Sequence, residues 1–177
     1  MDKKWTIVEV LRHARHDWLN QLQLIQGYIT LNKLDRVKEL INEIVARAQE
    51  DSKLSNLQLP RVAERLITHN WEPHAFQISY EIHAKANEIS ISDEWLDQWI
   101  DAFFQMLDCE LSKDVENILH LTLHTFKEAI TFSFRLTGRM EEPHRIKTWL
   151  EENAKGHIKH IEIFHVDTQL LSFKLCL

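Results

Sequence analysis

One histidine, His16, stands among residue types suited to group-transfer chemistry, in the segment RHDWLN at residues 15–20. An uncharged imidazole is a nucleophile, and a large share of histidine side chains is uncharged at neutral pH. Arg12 and Asn20 lie one helical turn before and after it. An arginine can donate charge-assisted hydrogen bonds to a phosphoryl oxygen, and an asparagine can orient a ligand one turn away. We therefore take His16 as the candidate chemical centre of the chain.

An amphipathic helix is predicted to position His16, because apolar residues recur there at steps of three and four. The apolar stripe consists of Ile7, Leu11, Ala14, Trp18, Leu22, Ile25 and Ile29. At about 100° per residue, His16 falls about 160° from the centre of this stripe. His13 and Gln23 share its polar side, and Arg15 adds positive charge beside it. This side of the helix could therefore receive an acidic partner surface.

A second amphipathic segment follows a short break at Asn32 and Lys33. Its apolar stripe consists of Leu34, Val37, Leu40, Ile41, Ile44, Val45 and Ala48. Since the connection is short, we expect the two helices to form an antiparallel hairpin. Two helices cannot enclose a core by themselves. We expect a second copy of the chain to complete a four-helix bundle, unless the C-terminal part of the chain covers the stripe instead.

The pattern changes beyond Pro60, where short stretches of alternating apolar and polar residues predict strands. The predicted strands cover residues 76–82, 119–123, 130–134, 161–163 and 170–177, and the predicted helices cover residues 61–70, 92–107 and 146–153. Helices and strands intermixed around one sheet indicate an α+β or α/β domain. We therefore divide the chain into a helical hairpin at residues 1–57 and a mixed domain at residues 58–177.

The composition is that of a globular chain, with 177 residues of which 44% are hydrophobic and 27% charged. No apolar run approaches the ~18 residues that a membrane span needs. The net charge of −6 argues against a general nucleic-acid-binding protein. We expect a cytoplasmic protein with neither a membrane nor a nucleic acid as its partner. We also expect Cys109 and Cys176 to be buried free thiols.

A metal site is an alternative reading of the histidines. His13 and His16 are three residues apart, but the sequence pattern of zinc proteases is missing and no cysteine is near. The second half carries further histidines at His120, His124, His157, His160 and His165. Because the tight ligand spacing of zinc sites is missing there too, we favour imidazoles scattered over a polar sheet face and expect no metal site.

The N-terminal residues have the pattern of a known family. The segments RHDWLN at 15–20, IQG at 25–27, DRV at 35–37 and SKLSNL at 52–57 resemble the sporulation initiation phosphotransferase B family of bacilli. The resemblance covers roughly residues 12–57. The same region is similar to the dimerisation hairpins of citrate- and fumarate-type sensor kinases, which carry His-Glu-x-x-Asn here. Asp17 stands where those kinases usually carry glutamate.

The resemblance implies a phosphorelay phosphotransferase. His16 would accept a phosphoryl group from the aspartate of one response regulator and pass it to the aspartate of a second. Arg12, Asp17 and Asn20 would assist this transfer, and the partner-binding residues would be His13, Arg15 and Gln23. The resemblance also implies a homodimeric four-helix bundle, followed by an α/β sandwich like a degenerate histidine-kinase ATP-binding domain. The chain would need no cofactor of its own, since the regulator would supply Mg²⁺.

An autophosphorylating sensor kinase is the first rival reading. Kinases of the similar type carry Asn-Leu-Leu-Asp-Asn-Ala on a helix, and the counterpart here is QMLDCE at residues 105–110. Cys109 stands in place of the magnesium-binding asparagine, and a neutral thiol is a poor ligand for a hard cation. Such kinases also need glycine-rich loops that let the backbone approach the phosphates. After Cys109 this chain has only two glycines, Gly138 and Gly156, and they are far apart. We therefore expect no ATP-dependent kinase activity. A non-enzymatic dimeric adaptor that binds regulators is the second rival.

Overall fold

The computed structural model describes residues 5–84, 91–126 and 129–177. The chain divides into two compact units, Met1–Gln49 and Glu50–Leu177. The helices are α1 (Ile7–Thr30), α2 (Leu34–Ser55), α3 (Pro60–Thr68), α4 (Asp93–Glu110) and α5 (Pro143–Glu152). The strands are β1 (Gln77–His83), β2 (Ile118–Phe126), β3 (Ala129–Thr137), β4 (His160–Val166) and β5 (Leu170–Cys176). The predicted α+β class is confirmed, and the division between the units falls within α2, shortly before the boundary predicted from the sequence.

Local signals fix both ends of α1. At its start Glu9 N–H donates to Thr6 Oγ1 (3.3 Å) and Thr6 N–H donates to Glu9 Oε2 (2.9 Å), a reciprocal capping box. Beyond its end Asn32 has φ 53°, a left-handed conformation that asparagine tolerates better than most residues. The predicted break between the helices is confirmed at this point. Among the described residues, no helix is long and apolar enough to cross a membrane.

The apolar stripe of α1 is exposed in the single chain. The helix contains no buried residue, and Trp18 is 69% and Leu22 57% exposed. Ile7, Leu11 and Ile29 on the same stripe are also more than half exposed. Leaving such side chains in water forgoes about 1.5–3 kcal/mol each relative to full burial. The stripe is therefore a surface that association could bury.

The second unit is built around a five-stranded mixed sheet in the order β1-β2-β3-β5-β4. β1 pairs with β2 in parallel, and the other neighbours are antiparallel. One face of the sheet joins α3, α4 and α5 in a single apolar core, in which Phe134 and Phe173 stack with ring centroids 4.6 Å apart. The opposite face carries the polar residues of each alternating strand. This sandwich is what the period-two pattern predicts.

Two details differ from the sequence expectations. The helix predicted over residues 61–70 ends at Thr68, and a 3-10 helix, His69–Trp71, continues it. The expectation of buried thiols is wrong: Cys109 is exposed and Cys176 is only half-buried. Cys109 lies two residues, or about 200° of helical rotation, beyond the buried Leu107, which turns it away from the core. Cys176 lies on the polar face of β5, where it alternates with buried neighbours.

Candidate functional site

His16 lies in the middle of α1, and its side chain is 72% exposed. Its Nδ1 is 3.3 Å from the side-chain nitrogen of Asn20, one turn later, and 3.5 Å from Oδ1 of Asp17. Within the described part of the chain, both contacts of this imidazole go to Nδ1. Nε2 is therefore the ring nitrogen available to a docked molecule.

The two neighbours of Nδ1 influence which ring nitrogen carries the proton. A carboxylate only accepts hydrogen bonds, so Asp17 favours a proton on Nδ1 and leaves the lone pair on Nε2. The amide of Asn20 can donate to an unprotonated Nδ1, or it can accept from a protonated Nδ1 after turning its oxygen inward. The form with a nucleophilic Nε2 is therefore favoured by the carboxylate of Asp17, 3.5 Å from Nδ1, and it requires the amide of Asn20 to be turned.

The other predicted site residues lie on α1 without forming one bonded cluster with the candidate imidazole. Arg12, Arg15 and Gln23 are exposed. His13 is half-buried, and its ring packs edge-on against Trp5 with centroids 5.1 Å apart. In residues 5–84, no hydrogen bond or ion pair joins Arg12 or Arg15 to the imidazole. Their predicted roles in catalysis and partner binding stay predictions.

Two exposed leucines that the sequence reasoning missed flank His16. Leu19 is 51% and Leu24 53% exposed. By helical geometry they lie about 60° and about 80° from His16, on opposite sides of it. Apolar side chains beside a polar nucleophile can be buried by a docked protein, as at the centres of protein interfaces. The sequence does contain a signal for these two leucines. Both lie outside the apolar stripe, so neither is needed for the surface that the stripe would bury.

The counterpart of the kinase magnesium motif is engaged in structural contacts. Asp108 Oδ2 lies 2.7 Å from Nδ1 of His74, and its Oδ1 accepts a hydrogen bond of 2.8 Å from the N–H of Ala75. Cys109 points away from the core, and Glu110 lies 3.5 Å from the guanidinium of Arg145. This segment therefore ties α4 to neighbouring elements through its carboxylates.

The two glycines of the second half are explained by packing. Asn117 is 1% exposed; its Nδ2 donates to two backbone carbonyls at 2.7 Å, and its Oδ1 accepts from the N–H of Arg139 at 2.8 Å. A Cβ on Gly138 would overlap the side chain of Asn117. Gly156 has φ 75° and approaches the indole of Trp95. Both positions need glycine for reasons that involve no phosphate.

A metal centre does not emerge from the predicted histidines. In the described residues, no group of three or more histidine, cysteine, aspartate or glutamate side chains is placed to hold a metal ion. On the polar sheet face, His120 Nδ1 lies 2.9 Å from the hydroxyl of Ser79, and His124 stacks on His83 with centroids 4.7 Å apart. These side chains pair across neighbouring strands.

Two family models match consecutive parts of the chain. The model described as "Sensor kinase SpoOB-type, alpha-helical domain" matches residues 1–57, and "Sporulation initiation phospho-transferase B, C-terminal" matches residues 58–177. A relative, sporulation initiation phosphotransferase B of Bacillus subtilis (strain 168), is 40% identical over 119 residues. The alignment covers 67% of this chain and 62% of that protein, so it spans less than two thirds of the relative's length.

A solved structure, the histidine kinase AdeS of Acinetobacter baumannii, is similar over most of the chain. The alignment covers 92% of this chain and 96% of that chain. The TM-score is 0.43 and the sequence identity is 12%.

Proposed function

The chain belongs to the sporulation initiation phosphotransferase B family, and we propose that it is a phosphorelay phosphotransferase. His16 accepts a phosphoryl group from the aspartate of one response regulator and passes it to the aspartate of a second. The relay operates in the cytoplasm and serves the initiation of sporulation. One observation carries the proposal: an imidazole that is 72% exposed, with Nδ1 beside Asp17 and Asn20 and Nε2 left for reaction.

The transfer is an exchange of one phosphorus bond for another. The lone pair of His16 Nε2 attacks the phosphorus of the donor's acyl phosphate, the P–N bond forms, and the P–O bond to the donor aspartate breaks. The released carboxylate keeps the electron pair of that bond, and the Nδ1 proton stays on the ring beside Asp17. In the second half of the relay the acceptor's aspartate attacks the phosphohistidine, and the P–N electrons return to Nε2. Such transfers depend mainly on positioning and charge stabilisation.

The predicted neighbours of His16 supply that positioning and charge. Arg12 would neutralise charge on the equatorial phosphoryl oxygens, because a guanidinium matches their geometry. Asn20 would hold the imidazole. Asn20 and Gln23 would align the docked loop of the regulator. His13 and Arg15 would also contact the regulator. The chain needs no cofactor of its own in this proposal, since the acidic pocket of the regulator would hold the Mg²⁺ that partly neutralises the phosphoryl group.

Homodimerisation is the second part of the proposal. The apolar stripe of α1, with Trp18 69% and Leu22 57% exposed, is the surface that a second copy would bury. Two hairpins joined through this stripe make a four-helix bundle. His16 lies about 160° from Trp18 around the helix, so the bundle would leave both phosphoacceptors on its outside. The dimer would thus offer two docking sites to regulators.

A kinase that phosphorylates itself from ATP is the alternative to this proposal, and the contacts within the second unit bear on it. The carboxylate of Asp108 lies beside His74, and Gly138 is required by Asn117, so two elements of the kinase pattern have structural roles here. We infer that the phosphoryl group comes from another protein. Incubation with labelled ATP alone should leave the chain unlabelled, and label at His16 under these conditions would establish the kinase reading.

The experiment that tests the proposal is phosphoryl transfer from phosphorylated response regulators to the chain. We expect label on the parent protein and none on His16→Gln. His144→Gln is the matched control, because His144 is 74% exposed and lies on α5. It should be labelled like the parent. Circular dichroism and sedimentation would establish that each variant keeps its helices and its dimer. Full labelling of folded His16→Gln would refute the assignment, and binding without transfer by the parent would favour the adaptor.

A further inference from the structure

Gly27 is an exposed glycine in the interior of a long helix, α1. Glycine lowers the stability of a helix more than any residue except proline, because its backbone loses the most conformational freedom on folding. The backbone at Gly27 is helical and its φ is not positive, so the local conformation does not require glycine. The glycine must therefore be explained by something that approaches it.

Packing within the chain does not explain Gly27. Apart from its chain neighbours and the nearby backbone of its own helix, a Cβ built on Gly27 would meet no atom of the described residues within 4 Å. The contrast is Gly138, where a Cβ would overlap the side chain of Asn117. In the single chain, the space beside Gly27 is open to a larger side chain.

The proposed dimer contact does not reach Gly27 either. Gly27 follows Trp18 by nine positions, which at about 100° per residue places it about 180° from the centre of the apolar stripe. A second copy that buries this stripe would leave Gly27 on the outside of the bundle. The remaining candidate for a close approach is a protein that docks on the outer side of α1.

Gly27 lies on the same side of α1 as His16. It follows His16 by eleven positions, three full turns and about 20° of helical rotation. Asn20 and Gln23 lie between them in the same row, at steps of four, three and four. At 1.5 Å per residue, the row from His16 to Gly27 is about 16 Å long. A typical interface of about 800 Å² per partner is about 30 Å across, so one docked protein can cover the whole row.

We propose that Gly27 is a docking residue of the His16 site, where the backbone of a response regulator packs against the bare backbone of α1. A position without a side chain allows such a close approach. Leu24, one turn before Gly27 and 53% exposed, would pack against the same part of the regulator. This inference rests on the proposed function, and it adds a contact about three turns away from the phosphoryl group.

The test is single-turnover phosphoryl transfer from a purified response regulator labelled on its aspartate. For Gly27→Ala we expect the half-saturating regulator concentration to rise about tenfold, the scale of one extra methyl group in a packed contact. Gly27→Leu should raise it further. The rate at saturating regulator should stay within about twofold of the parent, because the substituted position is remote from the phosphorus.

Stability should change in the opposite direction to docking. Alanine is the better helix former, so Gly27→Ala should raise the melting temperature of the chain by about 2–4 °C in circular dichroism. Asn42→Ala is the matched control, because it also raises helix propensity, at an exposed position of α2. It should raise the melting temperature as well and leave the half-saturating concentration unchanged.

The possible failures are distinguishable. Equal transfer by the parent and Gly27→Ala would overturn the close approach and leave the proposed function standing. Equal weakening in Gly27→Ala and Asn42→Ala would overturn it too, because the effect would then follow helix stiffness. A changed mass of Gly27→Ala in sedimentation would assign the glycine to the dimer contact instead. Absence of transfer from every regulator to the parent would overturn the proposed function, and this inference with it.

Discussion

Burial of His69 makes the stability of the second unit depend on pH. Its side chain is 5% exposed and stacks on His74 with ring centroids 4.0 Å apart at 11°. Its Nε2 lies 3.3 Å from the carbonyl of Phe76, and its ring packs edge-on against Phe104 at 4.9 Å. Burial and, secondarily, the neighbouring His74 lower the pKa of His69 from 6.5 to about 4.

The sign of the effect follows from which state binds the proton first. As the pH falls below 6.5 the unfolded chain protonates this histidine, while the folded chain does so only near pH 4. The contribution of uncharged, buried His69 to the free energy of unfolding is therefore fully present above pH 6.5, and it is lost as the pH falls towards 4. Each pH unit in this window is worth about 1.4 kcal/mol, so the free energy of unfolding should drop by roughly 3 kcal/mol across it.

Urea unfolding followed by tryptophan fluorescence, at steps from pH 8 to pH 4, measures this loss. His69→Phe keeps an aromatic ring in the stack but cannot titrate, so its free energy of unfolding should fall by roughly 3 kcal/mol less than that of the parent over the same window. His144→Gln, at an exposed position, should follow the parent curve. Parallel pH curves for the parent and His69→Phe would refute the argument that burial lowers the pKa of His69.

Three further predictions concern packing, transfer and assembly. Gly138→Ala should lower the free energy of unfolding by about 1–3 kcal/mol in urea titrations, because its Cβ would overlap the buried Asn117; an unchanged midpoint would contradict this. Asp17→Asn should slow phosphoryl transfer in rapid-quench assays about tenfold, near 1.4 kcal/mol, since an amide is a weaker acceptor for the Nδ1 proton; an unchanged rate would remove Asp17 from the mechanism. Leu22→Glu should turn a dimer into a monomer in sedimentation, whereas Leu24→Glu, on another face of α1, should leave the mass unchanged.

The fold was predictable where the signal is local. The steps of three and four around Trp18 and the break at Asn32 predicted the hairpin, and strict alternation in segments such as residues 119–123 predicted the strands. These patterns report which side of an element is covered, and they need no knowledge of its partner. The position of His16 on the polar side of α1 followed from the same geometry.

Contacts between residues distant in the sequence were not predictable in this way. The side chain of Asn117 donates a hydrogen bond to the carbonyl of Ala75, 42 positions earlier in the chain. Nothing in the sequence next to Asn117 indicates that it is buried. The hydrogen bond from the N–H of Ile82 on β1 to the carboxylate of Glu50 likewise joins residues 32 positions apart. The exposure of Cys109 was missed for a related reason, because an apolar neighbourhood in sequence spans both faces of a helix.

A two-step transfer experiment tests the central role of His16 most directly. The chain is labelled by one phosphorylated response regulator, separated from it, mapped for the modified atom, and then mixed with a second, unphosphorylated regulator. We expect label on Nε2 of His16 and its passage to the aspartate of the second regulator, with matching loss from the chain. Label on another residue, or label on His16 that no regulator can remove, would contradict the relay.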